Sequence, residues 1–157
     1  MKTELAYLAG AIDSDGTIGI KRSTYAMRVT QDSKSPTFSE RVALRQVVPI
    51  IPEMLKAKFG GSLYMTAPST PNGKPLYSWA ATDLRAAECL NALLPYLRIK
   101  KAQAVNCLEL RKVKTRSIKL RLANGRGHVG AASRPLSITA EMESLYLHAK
   151  SLNAVGR

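Results

Sequence analysis

Read for the spacing of its apolar positions, the chain switches repeatedly between a helical and a strand-like period. Glu4 to Ile12 holds good helix formers and no proline, and the small residues Ala6 and Gly10, four apart, would let a second helix approach closely. Gly16 suits a turn out of that helix. Thr17 to Gln31 is rich in β-branched and aromatic residues with partial alternation, which predicts a strand. Asp32 to Thr37 is turn chemistry, and Phe38 to Val47 alternates again: Val42, Leu44 and Gln46 on one face, Arg41, Ala43 and Arg45 on the other. Residues 17–48 therefore predict a long, basic hairpin.

A short helix follows in PIIPEMLKAKFGG, opened by prolines and closed by Gly60 and Gly61. Ser62 to Ala67 and Leu76 to Ala81 predict a second hairpin around the Asn72-Gly73 pair. A helix is predicted over 82–97, with Thr82 as N-cap and Leu84, Ala87, Leu90, Leu94 and Leu97 as its apolar stripe. Residues 99–113 read as helical. Residues 114–134 are basic, glycine-containing and aperiodic, which predicts a loop or an arm. A last helix is predicted over 136–153, with Thr139 as N-cap. The order α-ββ-α-ββ-α plus extra helices predicts an α+β domain with a four-stranded antiparallel sheet. One face of that sheet is expected to carry helices and the other to display Arg and Lys.

Composition sharpens this picture at one point. Lys plus Arg number 24 against 11 Asp plus Glu, a formal charge of +13 in 157 residues. Such an excess marks a polyanion partner, and its spread over strand-like and loop-like segments favours nucleic acid over a membrane surface. No stretch holds the roughly 18 apolar residues of a membrane span, and no secretory signal is expected at the N-terminus. Cys89 and Cys107 sit in apolar helical surroundings and are expected to be buried free thiols, consistent with an intracellular, reducing location. His128 and His148 have no ligand partner in sequence and are expected to be structural or solvated.

LAGAIDSDG, Leu8 to Gly16, resembles the signature of the LAGLIDADG homing endonucleases, matching at Leu8, Ala9, Gly10, Ile12, Asp13, Asp15 and Gly16 and departing at Ala11 and Ser14. FGGSLY after the second helix and YLRIKKAQA (Tyr96 to Ala104) are similar to the same family. The resemblance covers a core of about residues 4–112 and leaves a basic segment and a C-terminal helix, 113–157, unmatched; the whole is expected to be one domain. There is one copy of the motif, as in the members of the family that act as homodimers. A two-fold dimer would supply the second half of an active site.

The resemblance implies a site-specific, Mg²⁺-dependent double-strand DNA endonuclease of intron homing. It would cut a long pseudo-palindromic site and leave short 3′ overhangs, with Mn²⁺ or Ca²⁺ able to stand in for binding. Hydrolysis of a phosphodiester needs a metal to polarise the phosphate and activate water, and such cations take carboxylate and carbonyl oxygens. The resemblance implies that Asp15 binds the metal, with the Ser14 carbonyl as a further ligand. Two such acids would meet across a dimer contact of Ala6, Leu8, Ala9, Gly10 and Asp13, with Asp13 also tying the helix end. Lys100 is the expected basic residue near the scissile phosphate, with Lys101 the alternative by register. Gln46, or else Gln31, is expected to position water; Arg45 is a weak candidate for a further basic residue.

Recognition would come from the hairpins, since a two-stranded ribbon fits the major groove. Candidates are Lys21, Arg22, Ser23, Tyr25, Arg28, Thr30, Lys34, Arg41 and Arg45 on the first, and Tyr64, Thr66, Asn72, Lys74, Tyr77 and Ser78 on the second. Arg111, Lys112, Lys114, Arg116, Lys119, Arg121 and Arg126 would grip phosphates without reading sequence. The alternative is a non-cleaving nucleic-acid-binding protein of the same fold, an RNA maturase acting on intron RNA or a DNA-binding regulator.

Overall fold

The computed structural model describes residues 2–24, 36–123 and 135–154. The elements run α1 (Lys2–Asp15), β1 (Gly16–Thr24), β2 (Pro36–Gln46), α2 (Ile50–Phe59), β3 (Ser62–Thr66), β4 (Leu76–Thr82), α3 (Asp83–Leu93), α4 (Lys101–Ala123) and α5 (Leu136–Ala154). The four strands form one antiparallel sheet in the order β1-β2-β4-β3. This is the expected α+β architecture.

Alternation gives the sheet two unlike faces. Ile18, Ile20, Phe38, Val42, Leu44, Trp79 and Ala81 are buried on one. Over them pack Leu8, Ala9 and Ile12 of α1, Leu90 and Leu93 of α3, Cys107 and Leu110 of α4, and Met142 of α5. The residues between them, including Thr17, Lys21, Arg41 and Arg45, are exposed on the opposite face. Side chains of directly paired residues share a face, so the register places Arg45, Ser78 and Tyr64 in one row of this open face.

The α1–β1 junction is tight. A Cβ on Gly16 would lie 2.8 Å from the Ile12 backbone, so glycine alone lets the strand leave the helix here. At the other end of the core, Gly60 and Gly61 stop α2 at φ +68° and +86°, a region open to glycine. The Trp79 indole N–H donates to the Gly60 carbonyl at 2.8 Å and fixes that stop against β4.

Three expectations are corrected. Residues 114–123 are helical, the second half of α4, and only 124–134 of the expected arm lie outside the described residues. Ion pairs, which apolar periodicity does not register, pin α4 around the start of this half. Arg111 and Lys114 bond the fully buried Glu40 of β2, at 2.7 and 3.1 Å, and both also reach Asp83. Second, α3 stops at Leu93, and Ala86, Ala87, Cys89, Leu90 and Leu93 face the core while Leu84 is 58% exposed. Thr82 sits at the N-cap in extended conformation but makes no side-chain cap bond. Third, α5 starts at Leu136, so Thr139 lies inside it, its hydroxyl donating to the Pro135 carbonyl at 3.4 Å.

Cys89 and Cys107 are buried free thiols, as expected. Burial pushes each up to about 12, with Glu40 adding to the effect at Cys107. Neither forms thiolate near neutral pH. Among the described residues, no helix is long and apolar enough to cross a membrane.

Candidate metal and nucleic-acid site

The site is built where α1 ends. Asp13 is buried and points back into the chain, where its carboxylate accepts three backbone N–H bonds from the turn before α4. The donors are Arg98 at 2.6 Å, Ile99 at 3.2 Å and Lys100 at 2.9 Å. Burial works to raise the Asp13 carboxyl, but these three bonds and the Lys100 charge outweigh it and hold the group below its ordinary value.

That tie brings Lys100 to the last turn of α1, whose carbonyls have no partner within the helix. The Lys100 ammonium donates to the carbonyls of Ile12 at 2.9 Å, Ser14 at 3.3 Å and Asp13. It thereby sits at the negative end of the helix dipole. Burial lowers its basicity, and the charges of Asp13 and Asp15 work against that fall. Asp15, two residues beyond Asp13, is exposed, and Gln46 at the end of β2 donates its amide to Asp15 Oδ2 at 3.1 Å.

Asp15, Ser14, Gln46 and Lys100 are thus gathered from α1, β2 and the turn before α4. Gln31, the other candidate for the glutamine position, lies outside the described residues. Among the described residues no three His, Cys, Asp or Glu side chains gather into a metal-holding group. At this site the described residues of one chain offer one exposed carboxylate, Asp15, and the Ser14 carbonyl, oxygen donors of the kind Mg²⁺ takes but too few to hold it alone.

The α1 surface divides the expected dimer contact. Leu8 and Ala9 are fully buried and Asp13 is nearly so, all three inside the chain's own core. They are not available to a partner helix, which corrects their assignment. Ala6 and Gly10 lie on the exposed side with Tyr7, and a Cβ placed on Gly10 would meet no atom within 4 Å.

From Asp15 the open sheet face continues as a hollow of about 640 Å³. Thr17, Gly19, Lys21, Arg41, Ala43 and Arg45 form its floor, and Lys150 and Asn153 of α5 line one wall. No signal in the sequence points to the α5 residues, which reach β1 only through folding.

The other candidates separate by placement. Lys21, Ser23, Arg41, Arg45, Tyr64, Thr66 and Ser78 fall on the open face by register, though Ser78 is buried beneath its neighbours. Asn72 and Lys74 are exposed between β3 and β4. Arg22 and Tyr77 fall on the helix-covered face, and the Arg22 guanidinium is paired with Glu143 of α5 at 2.9 Å. Arg111, Lys112, Lys114 and Arg116 lie on α4 and pair with Glu40 and Asp83, Glu109, and Glu141. Lys119 and Arg121 follow on the same helix. Tyr25, Arg28, Thr30, Lys34, Arg126 and His128 lie outside the described residues.

Lys21, Arg41 and Arg45 form no ion pair with an acid among the described residues, in contrast to Arg22, Arg111, Lys112, Lys114 and Arg116. The open face therefore gathers three cations that no acid offsets.

No protein-family model matches the sequence, and neither does any curated protein. Solved structures do. The homing endonuclease I-CvuI, in complex with the I-CreI target, superposes at a TM-score of 0.67 with 20% identity, over 96% of this chain and 82% of that one. The archaeal intron-encoded homing endonuclease I-Vdi141I, complexed with DNA, gives 0.54 and 16% over 92% and 98%. The meganuclease I-SmaMI, bound to uncleavable DNA, gives 0.59 and 14% over 90% of this chain but 42% of its own. The motif at the end of α1 and the arrangement of the elements around it agree: this chain has the LAGLIDADG homing endonuclease fold.

Proposed function

We propose that the protein is a homodimeric, Mg²⁺-dependent DNA endonuclease that holds a pseudo-palindromic duplex on the open sheet face and cuts it at the ends of two α1 helices. The observation that carries this reading is the convergence of Asp15, Gln46 and Lys100 at one end of a hollow floored by uncompensated cations. A phosphate backbone drawn onto that face passes over Asp15, the one acid lining the hollow among the described residues.

Asp15 and the Ser14 carbonyl would hold the metal, which when bound supplies polarisation of the phosphate and an activated water. Lys100 holds the Ser14 carbonyl and the α1 terminus in place and offsets negative charge beside the scissile bond. Gln46 orients the Asp15 carboxylate and offers an amide to a water. Because one chain brings one free carboxylate, a second α1 is needed to complete the donor set. Two features support the dimer: the exposed Ala6–Gly10 strip, and the match of this chain to less than half the length of I-SmaMI, the share one of two repeats would take. Lys21, Arg41, Arg45, Tyr64 and Thr66 would face the duplex. The Arg111 to Arg116 cations are occupied behind the sheet and contribute less than their number suggests.

The test is cleavage of a randomised duplex library with Mg²⁺, comparing wild type with Asp15→Asn. Wild type is expected to select and cut a two-fold-related site, and Asp15→Asn to bind without cutting. Equal cutting by the two would overturn the metal assignment. Binding without cutting by wild type in Mg²⁺ and Mn²⁺ would favour a non-cleaving DNA or intron RNA binder.

A further inference from the structure

The last turn of α5 reaches the outer edge of the sheet. β1 is an edge strand, and Asn153 Nδ2 donates to its Ile18 carbonyl at 3.0 Å. Gly19, the next residue, makes the room: a Cβ there would sit 3.3 Å from Asn153 Nδ2. From the other side α4 pins the same helix. Gln103 Nε2 donates to the Leu152 carbonyl at 3.3 Å, and Asn106 Nδ2 to the Leu145 carbonyl at 2.9 Å. Three side-chain amides thus hold α5 in register with both its neighbours.

This fixes where Lys150 stands. It is exposed and walls the hollow whose floor carries Lys21, Arg41 and Arg45. It has no acid partner among the described residues, and its recorded neighbour, the Tyr146 ring with its centroid 5.8 Å away, leaves the charge uncompensated.

We propose that the last turn of α5 is the outer wall of the DNA-holding face and that Lys150 grips a backbone phosphate there, with Asn153 as its positioning residue. This rests on the reading that the open face holds DNA. A duplex lying on the sheet presents base edges to the floor and a phosphate strand to each margin, so a cation at the rim meets phosphate. A lysine, a point charge on a flexible stem, suits a contact that follows the backbone without reading sequence.

The experiment is an anisotropy titration of the full chain on a pool of random-sequence duplexes about two helical turns long. It is repeated between roughly 50 and 200 mM salt. Lys150→Ala is expected to flatten the plot of log K against log salt by about 0.9 per bound subunit. The flattening should be equal on the pool and on any single sequence, and Lys150→Arg should keep the wild-type slope. Asn153→Ala should reproduce part of the loss, and the double variant should lose no more than Lys150→Ala. A Lys150→Ala slope equal to that of a DNA-binding wild type would overturn the phosphate contact alone. Additive losses would overturn the positioning role of Asn153. A wild type that binds no duplex would instead overturn the reading of the face, and this contact with it.

Discussion

Replacing Asp13 by Asn tests the joint on which the site is hung. Asp13 Oδ2 accepts from the N–H groups of Arg98 and Ile99, and Oδ1 from that of Lys100. An asparagine keeps one of those oxygens and turns the other into a donor facing a donor. At least one backbone N–H is left unmatched beside a side chain that is only 8% exposed in the wild type. An unmatched group of this kind costs about 1–3 kcal/mol, and each lost charge-assisted bond is of similar size. The expected loss at neutral pH is therefore about 2–4 kcal/mol, a large fraction of the roughly 5–15 kcal/mol a domain possesses.

Urea unfolding followed by circular dichroism, run across pH, is the assay. The Asp13 carboxyl is held below its ordinary value of 3.8, so its contribution is fully present above that value and is lost as pH falls through the lower folded one. The wild-type advantage over Asp13→Asn should be flat at neutral pH and shrink on the acid limb. A neutral-pH difference under about 0.5 kcal/mol, the range of ordinary surface changes, would refute the reasoning. So would an advantage that persists undiminished into strong acid.

Gly10 offers a contrast, because a Cβ there meets nothing within 4 Å. Gly10→Ala should stabilise the dissociated chain by about 1 kcal/mol through helix propensity, while Gly10→Leu should dissociate the proposed dimer on sedimentation without unfolding it. A Gly10→Leu chain that sediments like wild type would remove α1 from the interface. Glu40→Ala should cost about 3–5 kcal/mol in urea unfolding, because it leaves Arg111 and Lys114 facing each other with only the exposed Asp83 between them. Replacing Glu40, Arg111 and Lys114 together by methionine should recover most of that loss.

Much of this was open to reading before the structure was known, and what was hidden has physical causes. The strands and the two-faced sheet followed from period-two alternation, while Gln46 was expected only through the resemblance, with Gln31 as its alternative. The second half of α4 was hidden because periodicity registers greasy faces, whereas Arg111, Lys114 and Arg116 hold this helix down through carboxylates from three other elements. Of the expected α3 stripe, Ala87, Leu90 and Leu97 are buried and Leu94 packs against the core; the exception is Leu84, which lies in the first turn and faces outward. The inward pointing of Leu8 was legible in principle, since at 3.6 residues per turn it opposes Ala6 and Gly10, whereas Asp13, three residues after Gly10, shares their side of the helix and is buried only by what the chain folds over it. The hold of Asp13 on residues 98–100 was not: it joins positions 85–87 apart, which no local pattern encodes. The end of α5 on the edge of β1 was hidden for the same reason.

The unequal pairing of the cations has a consequence for search. With Lys21, Arg41, Arg45 and Lys150 gathered around one hollow while Arg111, Lys114 and Arg116 are answered by carboxylates, the molecule presents unlike sides to a polyanion at a distance. Long-range attraction then selects orientation as well as speed, because the torque acts before contact. A protein so built would track along unrelated duplex already seated in its working pose, and arrival at the right sequence would require recognition alone, with no further turn of the body.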